Sequence, residues 1–195
     1  MLYNSLNLEV AKIASKLDTK PEIAGVFFTK TKTVATDSFR LIEISVPKVK
    51  AEDYPITPQG SAMRGCDPFI VEATGLGKIK LPKNKSLPIV NNFAVKHIDK
   101  DKVEFLTTDL ESTQLIQLRR IEGQFPDYEQ IFPKDAPVVE VAVNAAYLSG
   151  LLDILGKLGG TNGVKMKFYG SDKPIVLEAS NGDQSGRGMI MQIKI

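Results

Sequence analysis

TVATDSFRLIEI, residues 33–44, is followed further along the chain by IEGQFPDYEQIFP, residues 121–133, and these two stretches decide how the sequence is read. Each combines an apolar strand pattern with a tight polar turn. Neither carries the chemistry of an active site. The spacing predicts strands over residues 24–29, 33–36 and 39–46, with Asp37-Ser38 as turn residues and Pro47 ending the pattern. Upstream, residues 8–17 (LEVAKIASKL) predict a short helix whose apolar stripe leaves Lys12 and Lys16 one turn apart on the other side.

The same theme recurs twice. Residues 68–72 open a second unit, with a weak helix pattern over 74–81 and strands over 89–98, 103–107 and 113–121. Residues 138–143 open a third, followed by a helix over 144–158 capped by Asn144 and closed by Gly159-Gly160, then strands over 164–169, 175–179 and 189–195. The opening strand of the first unit is the weakest, over residues 2–7. A Pro- and Gly-containing loop over 49–67 and a linker over 123–137, with three prolines and two phenylalanines, join the units. The chain therefore reads as three repeats of strand, helix and three strands, an α+β arrangement. Each repeat is too small to bury its own sheet and helix, so repeats must pack on one another.

Composition sets outer bounds. With 195 residues, 43% hydrophobic and 25% charged, the chain fits an ordinary globular protein. No apolar run approaches the ~20 residues of a membrane span, and the N-terminus lacks a basic-then-apolar signal pattern. The single Cys66 rules out an internal disulfide, suits a cytoplasmic setting and reads as a small half-buried side chain. A net charge of +2 is too small to argue for nucleic acid, but the lysines cluster: Lys12, Lys16 and Lys20, then Lys78, Lys80, Lys83 and Lys85.

Catalytic chemistry is thinly represented. His97, the single histidine, sits in a strand pattern with no nucleophile to serve, and reads as structural. His97 and Cys66 are too few for a zinc site. Asp37 and Asp109 occupy equivalent places after the middle strand of their repeats. They could hold magnesium for nucleic-acid hydrolysis, but turn geometry is the commoner role of such an Asp. Gly75-Leu76-Gly77-Lys78 lacks the spacing of a phosphate loop, and residues 182–188 (GDQSGRG) read as a flexible turn. No cofactor and no enzymatic activity are expected. Contact residues are more prominent. Phe39 and Leu41 alternate with Ser38 and Arg40, Pro126, Ile131 and Phe132 lie on the linker, and Met189, Met191 and Ile193 share one face of the last strand. Methionines suit a groove that accepts varied peptides.

ATDSFRL resembles ATDGHRL of the bacterial beta sliding clamp, the processivity factor of DNA polymerase III, and IEGQFPDYEQIFP resembles its DGRFPDYRRVLP. VNAAYLSGLLDIL is similar to the start of that family's last half-domain. The resemblance implies a DNA clamp fold, with sheets outside and helices inside a ring. It implies a non-enzymatic protein that encircles duplex DNA without reading sequence and recruits polymerase, clamp-loader and repair peptides. By position, the peptide groove would comprise Ile23, Thr36, Ser38, Phe39, Arg40, Leu41, Pro126, Gln130, Ile131, Met189, Met191, Gln192 and Ile193. Lys12, Lys16, Lys20, Lys78 and Lys80 would face DNA. Two departures bear on peptide preference: Ser38-Phe39 stands for Gly-His, and Gln192 for the proline of the family's MPM ending.

Length is the larger departure. The resemblance implies one complete clamp domain over residues 1–133, from units at about 1–48 and 67–122. It leaves residues 138–195 as a half-domain that another chain must complete. Four such chains would supply the twelve units of the familiar ring, so a homotetramer is expected. A clamp-like protein that never closes and competes for clamp-binding peptides is the alternative.

Overall fold

The computed structural model describes residues 1–17, 19–57, 67–158 and 163–194. Cys66, Gly159-Gly160 and Ile195 fall outside them. Two units emerge, Met1–Phe132 and Pro133–Ile195.

In the first unit, strands β1 (Leu2–Tyr3), β2 (Gly25–Phe28), β3 (Lys32–Thr36) and β4 (Leu41–Ser45) belong to the first repeat, and β5 (Phe69–Glu72), β6 (Phe93–His97), β7 (Lys102–Thr108) and β8 (Thr113–Arg119) to the second. They form two antiparallel sheets, ordered β1-β6-β7-β8 and β4-β3-β2-β5. Each sheet takes three strands from one repeat and the opening strand from the other. Tyr3 pairs with Phe93, and Phe69 with Phe28. The exchange brings the aromatic rings of the two repeats together. Tyr3 stacks on Phe93 at 5.5 Å, and Phe28 on Phe69 at 5.1 Å. One core results, shared by Val10, Val26 and Phe28 of the first repeat and Leu76, Val95 and Phe105 of the second. Each fully buried side chain of this size contributes about 1.5–3 kcal/mol, and here neither repeat buries its own without the other.

The helices are shorter than their apolar stripes predict. Helix α1 (Ser5–Glu9) opens on a capping box between Asn4 and Asn7 and tightens into a 3-10 turn, Val10–Ile13. It stops there because the Ser15 amide donates to the carbonyls of Ile23 and Thr36, at 2.9 and 3.2 Å. Lys16 therefore lies past the helical segment and does not share its side with Lys12. A helical turn, α2 (Pro21–Ala24), follows, and α3 (Ala73–Leu76) is a single turn ending before Lys78. Strand expectations over 39–46 and 89–98 also shrink. Residues 37–40 form a turn, and a 3-10 segment (Pro88–Asn91) precedes β6. Part of the 49–67 connection is anchored: buried Tyr54 donates its hydroxyl to the carbonyls of Asn92 and Leu106.

The second unit holds α4 (Ala145–Leu155), capped by Asn144, over a sheet ordered β11-β10-β9, with β9 at Lys165–Lys167, β10 at Ile175–Ser180 and β11 at Ser185–Ile190. Leu148, Leu151 and Leu155 turn onto Ile175, Leu177 and Ile190. Three expectations are corrected. GDQSGRG is strand from Ser185 onward, paired along β10, and its glycines make room for the helix: a side chain at Gly186 would press on Leu155 at 2.8 Å and one at Gly188 on Leu151 at 3.0 Å. Strand β11 ends at Ile190, so residues 191–194 continue without strand pairing. Residues 138–143 form no strand. Val138 is 99% exposed.

Candidate peptide-binding surface

On the first unit the site is built around the turn between β3 and β4. Asp37 accepts the amides of Phe39 and Arg40 through one carboxylate oxygen, each at 3.0 Å, and the Arg40 guanidinium through the other at 2.9 Å. Thr36 closes the turn by donating its hydroxyl to the Arg40 carbonyl. These bonds, the Arg40 side chain first, hold the Asp37 carboxyl below the ordinary carboxylate range. Ser38 sits at φ 77, in the left-handed region that glycine tolerates best, and Phe39 at the tip is 97% exposed.

Asp109 repeats this arrangement. It accepts the amides of Glu111 and Ser112, and Leu110 has φ 82. Both carboxylates accept backbone amides within their turns, the turn role expected of such an Asp. Among the described residues no group of three His, Cys, Asp or Glu is placed to hold a metal ion.

Next to the turn, the linker is fastened across the face of the β4-β3-β2-β5 sheet. Phe125 stacks on Phe27 at 5.0 Å with rings 8° from parallel, and Tyr128 meets Phe125 edge-on at 6.0 Å. Val34, Ile70 and Leu41 complete this cluster. Lys32 ties strand to linker: its ammonium bonds Glu129 at 2.5 Å and Glu43 at 2.8 Å, and lies 5.1 Å from the centre of the Tyr128 ring. The Glu129 bond, then the Glu43 bond, raises the Lys32 pKa.

Of the residues expected in the groove, Phe39 and Ile131 (69% exposed) are free for contact. Leu41 is half-buried, Pro126 exposed, and Gln130 exposed with its amide on Asp127. Ile23, a residue of α2, is buried and not open to contact. Sequence reasoning missed the anchors Phe125, Tyr128 and Lys32. The available signal was Phe27 and Val34, apolar residues on the face that a one-sided sheet leaves polar.

On the second unit, Met189, Met191 and Ile193 are exposed at 63, 56 and 48%, on the face opposite buried Ile190. Gln192 is fixed by donating its side-chain amide to the carbonyls of Gly170 and Lys173, at 2.7 and 2.8 Å. A proline at this position could not make these bonds. Lys12, Lys16, Lys20, Lys78 and Lys80 are all exposed, with Lys12 paired to Glu9. His97 is structural: burial lowers its pKa, and its ring stands edge-on to Phe69 at 5.3 Å.

No family model matches the chain, and no curated protein matches it. Solved structures do. The chain superposes on the DNA polymerase III beta chain of Streptococcus pneumoniae with a TM-score of 0.68 at 16% identity, covering 100% of this chain and 49% of that one. For the sliding clamp of Bacillus subtilis the TM-score is 0.69 at 15% identity, covering 98% and 48%. For that of Pseudomonas aeruginosa it is 0.67 at 15%, covering 98% and 50%. The chain spans about half the length of these clamps. Over its whole length it has the α+β fold of the bacterial DNA polymerase III beta sliding clamps.

Proposed function

We propose that this chain is a DNA sliding clamp, a ring that holds partner proteins on duplex DNA and performs no chemistry itself. The observation that carries the reading is the fold match to sliding clamps along the entire chain. Two features support it. The first is the pair of exposed apolar surfaces, Phe39 with Ile131 on one unit and Met189, Met191 and Ile193 on the other. They supply adaptable contacts for the peptides of a polymerase and a clamp loader. The second is the exposed lysine set, Lys12, Lys16, Lys20, Lys78 and Lys80, suited to loose phosphate contact that does not read bases. Four chains of three repeats would close the ring, in the cytoplasm, with no cofactor.

The test is retention. Rings assembled on nicked circular duplex should remain bound through gel filtration and be lost once the DNA is linearised. Equal loss from both forms removes the clamp reading. A clamp-like protein that does not close is the second reading, favoured by the unpaired state of residues 138–143. A stable monomer at micromolar concentration would select it.

A further inference from the structure

We infer that the last repeat is completed by a second copy of this chain through reciprocal strand exchange, in which residues 139–143 of each copy lie antiparallel on residues 164–168 of the other. This deepens the ring reading by naming the partner of the second unit, and rests on that reading only for its biological purpose.

The first unit shows how one repeat completes another. Asn4, Glu72 and Asn144 stand directly before the helices of their repeats, so Tyr3, Val71 and Val143 are equivalent. The own-repeat contact of the opening segment is also the same. The Ile121 amide donates to the Ile70 carbonyl, and the Ile193 amide to the Ala142 carbonyl, at 2.8 and 2.9 Å. What differs is the other side of the segment. β5 pairs there with β2, and β1 with β6, whereas residues 138–143 pair with no strand of this chain among the described residues.

The receiving edge is unmet too. Met166 lies opposite Leu177 as Val95 lies opposite Phe105. Val95 is 1% exposed and Met166 40%, although Leu177 beneath it is fully buried. Beyond Met166 on the same face, Phe168 is 47% exposed. An unpaired apolar edge of this kind invites a strand.

Both exchanges in the first unit transfer to one register. Tyr3 opposite Phe93, and Val71 opposite Val26, each place Val143 opposite Val164. Val141 then falls opposite Met166 and Val139 opposite Phe168, so the inner face is apolar throughout. On the outer face Glu140 falls opposite Lys167. A one-residue slip would set these valines against the lysines of β9 and put Glu140 on the inner face. The exposed Tyr147 and Ile154 of α4, two turns apart, give the second copy a helix face to cover as well. A second copy of the repeat is self-complementary in this register, as a two-fold contact requires.

The experiment uses the full chain with Cys66→Ser, carrying Glu140→Cys and Lys167→Cys at exposed positions. Directly opposed antiparallel residues have Cβ atoms roughly 4.5–5.5 Å apart, close enough for a disulfide after small adjustment. Oxidation should convert most of the chain to a dimer on a non-reducing gel, while Glu140→Cys with Lys165→Cys, displaced by two residues, should give several-fold less. Absence of the 140–167 dimer, a stronger 140–165 dimer, or a monomeric unmodified chain at micromolar concentration overturns the proposal. The two readings separate cleanly. A cross-linked dimer with no preference for circular DNA leaves the exchange standing and removes the clamp. Retention on circular DNA without the cross-link does the reverse.

Discussion

Phe39 shows how much a single side chain can be free of structural duty. Its backbone amide is held by Asp37, while its ring is almost wholly exposed. Phe39→Ala should therefore leave stability within about 0.5 kcal/mol of the parent. If Phe39 is a peptide anchor, the same change should weaken a clamp-binding peptide by ~10-fold or more, read by fluorescence anisotropy. His97 is the opposite case, with its Nε2 buried and without a hydrogen-bond partner among the described residues. Its folded pKa lies below the unfolded value, so the unfolded chain takes up a proton more readily. The stability it confers is complete above about pH 6.5 and declines as pH falls below that value. His97→Phe should flatten the fall in melting temperature between pH 7 and pH 5; an unchanged slope would assign the effect elsewhere.

Among the elements, β11 marks where the sequence misleads. GDQSGRG carries turn residues, yet it pairs along β10 from Ser185 to Ile190. The glycines are there for α4, whose leucines leave no room for a Cβ, a constraint invisible until helix and sheet are brought together. Gly186→Val should cost about 1–3 kcal/mol in denaturant unfolding of the second unit. Strands β3, β7 and β10 and the Asn144-capped helix were legible, because local propensity and tertiary role agree there. Residues 138–143 have the pattern of a strand but not the pairing, since pattern expresses a preference and a strand needs a neighbour. Of the residues expected in the groove, Ile23, Thr36, Gln130 and Gln192 came only through resemblance. The anchors Phe125 and Tyr128 depend on a linker crossing a distant sheet, which no short-range signal encodes.

At the scale of the whole molecule, the exchange of β1 and β5 has a consequence for how the first unit comes apart. Each repeat carries a strand that the other's sheet requires, so neither can melt while its companion persists. Denaturant should produce one sharp transition for residues 1–132. Severing the connection between residues 57 and 67 should not scatter the pieces. Fragments 1–57 and 67–132, each disordered by circular dichroism when alone, should regain native ellipticity on mixing, as two interlocked hands hold without a shared arm. Independent folding of either fragment would show that the interlock is ornamental.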